Sequence, residues 1–343
     1  MTTPGKLLAG TALATFAATA APAQTLTINS FGGAYEEAHR ACVIDPFIAE
    51  TGAEVQIVTA YSADAFAQLR AQKDAPQFDI LHFSGGQEIV GAAEGLLAPI
   101  DASKLSNAGD LYDFAGANME KGEGPAYSIA AIGLLYNTEL LDTAPTRWAD
   151  LTDPALAEGL VITDISNGYG MLGFLMLNQA MGGSLEDIQP GLDAVAQMLE
   201  NGAIVVNTSP EIQQEFAQNG AVIAAYASDY AYTLRNAGLP VAFVQAEDGT
   251  PASYITVNLV AGRDNTDLAH RFIDISISPE AQACFANALR YTPTNRKVEL
   301  SDEVAADVVY GPDAAAGMIR FDPTVIEAKR SEWVDAWNRT IAK

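Results

Sequence analysis

The feature that most restricts how this chain can fold is a strict succession of short apolar strands and helical stretches. "LTINSF" is followed by a helical pattern near residues 34–50, "AEVQIVTA" by one through Phe66 and Leu69, and "FDILHF" by "EIVGAAEGL". Strand and helix in alternation predict an α/β lobe with a largely parallel sheet. Ligands of such sheets sit at the carboxyl ends of the strands. Here those ends read "SFGGAY" (30–35), "TAYSADAF" (59–66) and "HFSGGQE" (82–88), rich in glycine, serine and aromatic residues. Glycine lets backbone approach a ligand closely, and the helix that follows offers free N–H groups.

A second series repeats the scheme. "PAYSIAAIGLLYNTELL" (125–141) has an apolar centre that reads as a strand crossing between lobes. "GLVITDISNGYGMLGFLMLNQAMGG" (159–183) gives strand, polar turn and helix, with Asp164, Ser166, Asn167, Gly168 and Tyr169 in the turn. In "AIVVNTSPEIQQEFAQNG" the spacing predicts a helix opened by Ser209 as N-cap, with Pro210 in the first turn. "AVIAAYASDYAYTLRNAG" places Asp229 at a strand-to-helix turn among Tyr226, Tyr230 and Tyr232. "GTPASYITVNLVAG" reads as a strand returning to the first lobe, followed by the helical "NTDLAHRFIDISI". The tail is helical, with Trp333 and Trp337 four apart on one face.

Length bounds the domain count. Residues 1–23 carry one lysine, an apolar stretch from Leu7 to Ala20 and small residues at Ala21 and Ala23, the pattern of a cleaved export signal. Cleavage there starts the mature chain at Gln24, and the remainder is long enough for two domains. The expected compartment is the periplasm, and the expected product is soluble. The formal charge of −25 disfavours nucleic acid and anionic membrane surfaces as partners. It is compatible with a cationic solute and equally with a solubilising acidic shell.

Catalytic patterns are not evident. His39, His82 and His270 fit no zinc spacing and read as surface or packed residues. Ser84 in "HFSGGQ" lacks the glycine that a nucleophile elbow requires two positions earlier. No P-loop lysine follows a glycine run. No metal or other cofactor is expected. Cys42 and Cys284 lie in two separate predicted helices, and in an exported chain they are either a disulfide or two buried thiols.

Two readings remain open for Asp229: a helix cap, or a carboxylate that also faces a cleft and pairs with a ligand ammonium, with Tyr226 or Tyr230 offering a π face. The same pair of readings applies to Asp164. Tyr35, Tyr127, Tyr169 and Tyr254 are candidate cleft walls or packing residues.

Taken in order, "INSFGGAYEEA", "DPFIAETGAEV", "FDILHF", "IGLLYNTELL", "RWADLTDPALAEGLVITD", "AYASDYAYTLRNAG" and "SPEAQACFANALRYTPTNRK" resemble the periplasmic solute-binding proteins of ABC importers, in the group that includes spermidine and putrescine receptors. The resemblance spans the whole chain after residue 23. It implies a two-lobe clamshell of type II with two crossings, residues 24–130 and 255–305 forming one lobe and 131–254 and 306–343 the other. It implies a monomer that hands a small amine-containing solute to an inner-membrane permease, and not an enzyme. By position it places Phe31, Gly32, Gly33 and Tyr35 on the first ligand loop and Ser84 and Gly85 on the third-strand loop. It places Asp164, Ser166, Asn167 and Tyr169 at the start of the second lobe, and Tyr226 and Asp229 where the acid meets an amine. Polyamine receptors carry a second Asp and a Trp on the returning strand, where this chain has Ile255, Thr256 and Val257. With one acid secure, an amino-acid-like or aminophosphonate solute becomes the alternative, its anion meeting backbone N–H groups. An exported hydrolase on a similar scaffold is the competing class.

Overall fold

The computed structural model describes residues 24–342, so the expected export signal lies outside the described residues. Ten strands form one continuous sheet: β1 (Thr25–Ser30), β2 (Glu54–Thr59), β3 (Ile80–Phe83), β4 (Ala126–Asn137), β5 (Leu160–Thr163), β6 (Ile204–Val206), β7 (Ile223–Ala227), β8 (Val241–Val244), β9 (Ala252–Leu259) and β10 (Thr292–Pro293). Their order is β2-β1-β3-β9-β4-β7-β5-β6, with β8 and β10 also paired to β4. β1 runs parallel to β2 and β3, and β5 runs parallel to β6 and β7. Each parallel group is flanked by helices, as the alternation of strands and helices requires.

β4 explains how the two halves are joined. Ala126–Ala131 pairs antiparallel with β9, whereas Ile132–Tyr136 pairs with β7 and Leu134–Asn137 with β8. A strand covered on both faces and both edges must be apolar along its length, and "AYSIAAIGLLYN" is buried at all but one position. β9 crosses beside it. A further segment runs alongside: Ile319 N–H donates to Thr250 O at 2.9 Å, and Ala252 N–H donates to Ile319 O at 2.8 Å. The chain is thus the two-lobe α/β clamshell of type II, and no helix among the described residues is long and apolar enough to cross a membrane.

Local chemistry sets the helix ends. The helix Ser209–Gln214 is capped by Thr208 rather than by the expected Ser209. Thr208 accepts from Glu211 N–H while the Glu211 carboxylate takes the Thr208 N–H, a capping box that fixes the start one residue earlier and leaves Pro210 within the first turn. Trp333 and Trp337 lie on one face of the helix Pro323–Ile341, both buried, and Trp337 meets Phe174 edge-on at 5.4 Å. Full burial of each such side chain stabilises the fold by about 1.5–3 kcal/mol.

Cys42 and Cys284 form a disulfide with a Cα separation of 5.5 Å, which settles the choice the sequence left open. It ties the helical turn Arg40–Ile44 to the helix Pro279–Leu289. His39 and His82 are fully buried, their rings edge-on at 4.5 Å. Burial holds both imidazoles in the neutral form, His82 down to about 4 and His39 well below its usual range. Both are packing residues.

Candidate functional site

The strand ends named above meet where the two halves face each other. After β1, Gly32 and Gly33 both adopt positive φ, 76° and 53°, a conformation that L side chains rarely take. A Cβ on Gly32 would also press on Thr59 at 3.0 Å. These glycines turn the chain so that Phe31 stands beside Tyr35, 4.6 Å between ring centroids, and stacks with exposed Tyr61 at 6.3 Å. After β3, Ser84 N–H donates to Ser62 Oγ at 2.9 Å, and the two hydroxyls lie 3.1 Å apart. Ser253 from β9 donates to the Ser84 carbonyl. Gly85 N–H is taken by Gln87 Oε1 at 3.0 Å and so is not free for a ligand.

On the other side Asn167 caps the helix Gly168–Ala180, accepting from Tyr169 N–H at 2.9 Å. Tyr226 is held by Ser209 Oγ at 2.7 Å, and Tyr230 donates to the Ser209 carbonyl. The rings of Tyr169 and Tyr230 each meet Tyr226 edge-on at 5.4 Å. Asp229 lies against this group in the first turn of the helix Ser228–Asn236. The cap position is Ala227 and makes no side-chain bond, so Asp229 is not spent as an N-cap.

The electrostatics of Asp229 follow from that placement. Its Oδ1 is closed off from solvent and has no hydrogen-bond partner among the described residues. Burial pushes its carboxyl up to about 7, and the Tyr291 phenol with the N–H groups of Asp229 and Tyr230 only partly offset this. Phenols near a carboxylate suffer in turn: burial and the Asp229 charge drive Tyr169 and Tyr291 well above their ordinary range. A carboxylate kept short of partners in an aromatic wall is a strong acceptor for a cation that brings its own protons.

The structure does not gather every residue that the sequence nominated. Asp164 accepts from Ser166 N–H at 2.8 Å and Oγ at 2.6 Å, and its other oxygen takes the Trp337 indole N–H at 2.8 Å. Its carboxylate is therefore occupied in shaping the turn. Tyr254 stacks on Phe114 at 5.5 Å beneath Arg320, away from the Asp229 group. Alternation along β9 is the reason, since Ser253 and Ile255 take the opposite face. Tyr127 is fully buried, its hydroxyl bonded to that of Tyr35, so it supports Tyr35 from behind. Tyr232 lies under the Arg290 guanidinium at 3.9 Å instead of joining the ring around Asp229. Tyr291, Tyr61, Ser62 and Ser253 belong to the site region and were not nominated. The motif "TAYSADAF" at a strand end already pointed to two of them.

A type II clamshell with a carboxylate set among phenols at its strand ends is the architecture of a solute-binding protein. The family model described as bacterial extracellular solute-binding protein matches residues 43–311. The chain belongs to that family, and its function is that of a substrate-binding receptor of an ABC transporter. It is similar to the gamma-aminobutyric acid-binding protein of Pseudomonas aeruginosa, 25% identical over 308 residues covering 83% of this chain and 81% of that protein. It is also similar to the spermidine/putrescine-binding periplasmic protein of Escherichia coli, 26% identical over 284 residues covering 79% of this chain and 80% of the relative. Among solved structures, an ABC transporter protein from Clostridium perfringens superposes with a TM-score of 0.76 at 26% identity, covering 92% of this chain and 99% of that one.

Proposed function

We propose that this receptor captures a small amine-containing solute, whose ammonium pairs with Asp229 beside the rings of Tyr169 and Tyr226. The observation that carries the reading is the half-buried Asp229 carboxylate, with one oxygen unpartnered and no capping role. A buried charge without a partner costs several kcal/mol, and pairing with an ammonium offsets that cost. Phe31 and Tyr35 with Ser62 and Ser84 form the facing wall, residues 24–130 and 255–305 being one lobe and 131–254 and 306–343 the other. Closure excludes water and strengthens the pairing. The solute then passes to an inner-membrane permease from a monomeric, periplasmic receptor.

A second reading has specific support: the groove face of β9 offers Ser253 and Ile255, with no second acid there. A diamine would leave one ammonium without a carboxylate, whereas an amino-acid-like or aminophosphonate solute would set its anionic end against hydroxyls and backbone N–H groups. The relative named for gamma-aminobutyric acid and those named for polyamines keep both classes in view.

The test is calorimetric titration with putrescine, spermidine, gamma-aminobutyric acid and an aminophosphonate, on the wild type and on Asp229→Ala. The reading requires saturable binding of at least one amine, weakened about tenfold or more by the substitution. Equal affinity in the two proteins removes Asp229 from the site. Turnover of a bound solute would favour the exported-hydrolase class.

A further inference from the structure

On the face of β4 and β9 opposite Tyr127 there is a second cavity, with about 360 Å³ of free space including its mouth. Ala126 of β4, Tyr254 and Thr256 of β9, Arg320 of the segment beside them, and Glu88 and Glu123 line it. Phe114 closes one side by stacking on Tyr254 at an interplanar angle of 29°. Adjacent strand residues point to opposite faces, so this cavity is separate from the groove that holds Asp229.

Glu88 is its central group. The residue is 2% exposed, and one oxygen accepts from the Arg320 guanidinium at 3.0 Å. Its other oxygen, Oε2, is buried and has no hydrogen-bond partner among the described residues. Glu123 accepts from the Asn118 amide at 2.9 Å on the cavity wall. Lys121 Nζ donates to Asn118 Oδ1 from the exposed side at 2.9 Å and does not line the cavity. Two carboxylates therefore face one guanidinium, which leaves the enclosure one positive charge short of balance. Burial, with a smaller push from the Glu123 charge, raises the Glu88 carboxyl to about 7 against the opposing pull of Arg320, its own backbone N–H and the Thr256 hydroxyl.

We propose that this cavity binds a small monovalent cation, of the alkali or ammonium type, coordinated by Glu88 Oε2 with Glu123 as the second negative charge. The cavity is polar and open at its mouth, so a small ion can enter and keep water on the side that faces solvent. The Tyr254 ring already carries Arg320 at 4.5 Å, so the carboxylate edge is the vacant ligand surface. Because β4, β9 and the Arg320 segment all wall the cavity, a bound ion braces the crossings between the lobes. The inference does not depend on which solute the groove takes.

The experiment is thermal denaturation of the protein in chloride salts of sodium, potassium, ammonium, methylammonium and tetraethylammonium at one ionic strength. A small cation at about ten times its dissociation constant raises Tm by about 2–4 °C over tetraethylammonium. The same rise is expected in Asp229→Ala, which separates this site from the groove, and it disappears in Glu88→Gln. Selectivity for ammonium and methylammonium over sodium and potassium identifies the ion as an amine, and the reverse order identifies an alkali metal. Should Glu88→Gln fail to fold, Glu123→Gln carries the comparison and must reduce the rise. Equal Tm in all five salts, or unchanged selectivity in the glutamate variants, overturns the proposal.

Discussion

The phenol of Tyr291 faces the carboxylate of Asp229. Tyr291 directly follows Arg290, which ends the helix Pro279–Leu289 in the left-handed conformation at φ 59°. That helix is itself fastened by the Cys42–Cys284 bond. The disulfide, the left-handed turn and the phenol form one positioning chain that ends at the acid.

Replacing Asp229 by Asn keeps the shape and removes the charge. A carboxyl whose folded pKa lies above its unfolded value loses stability as pH rises through that interval. At pH 8 the apo form of Asp229→Asn is therefore expected to melt at a higher temperature than the wild type, while amine affinity falls about tenfold or more. Differential scanning calorimetry and titration on the same samples check both. A lower Tm with intact binding would contradict the placement.

Binding of the amine is expected to depend on pH through the same group. With Asp229 titrating at about 7, the free receptor is increasingly protonated below that value and must release a proton to pair with an ammonium. Affinity rises by about tenfold per unit as pH climbs towards 7 and levels off above it, as proton linkage requires. Titrations at pH 6 and 8 in buffers of different ionisation enthalpy measure the released proton directly.

The Cys42–Cys284 bond spans a sequence separation of 242 residues. Bonds that close long loops contribute about 2–5 kcal/mol. The double variant Cys42→Ser/Cys284→Ser is expected to lose stability in that range in urea denaturation. It should also bind solute more weakly, since Tyr291 loses its anchor. Full stability in the variant would show the bond to be incidental.

His39 and His82 are buried without charge, so their effect on stability has the opposite sign to that of Asp229. Their folded pKa values lie below the unfolded 6.5, so their contribution is complete above that pH and is lost as pH falls through the folded values, about 4 for His82 and well below the usual range for His39. Each histidine contributes a slope of up to about 1.4 kcal/mol per pH unit in that window. Urea denaturation between pH 7 and 5 should show a shallower dependence for His39→Phe than for the wild type. An unchanged slope would place the protonation elsewhere.

Much of the architecture is legible in the sequence because periodicity is local. Alternating strand and helix announce β1 to β3 with their helices, and the unbroken apolar run of β4 announces a strand buried on every side. Asp229 in "AYASDY" is legible for the same reason, as an acid one step past a strand among aromatic residues. The cap falls on Thr208, one residue before the expected Ser209, because the two hydroxyls are equally competent acceptors and only the reach of Glu211 decides between them. Asp164 and Asp229 look alike in sequence. They separate only when Trp337, from the far end of the chain, takes an oxygen of Asp164.

The amino-acid order by itself determined the class of fold and set glycine, serine and aromatic residues at the strand ends and Asp229 one step past a strand, since each depends on residues close in the chain. Tertiary structure decided which acid remains unpartnered, that Tyr291 stands before it, that Tyr254 faces the opposite side and that the two cysteines are joined. Those outcomes depend on segments far apart in the chain meeting in space, and no local pattern encodes a free energy of burial that arises only when they do.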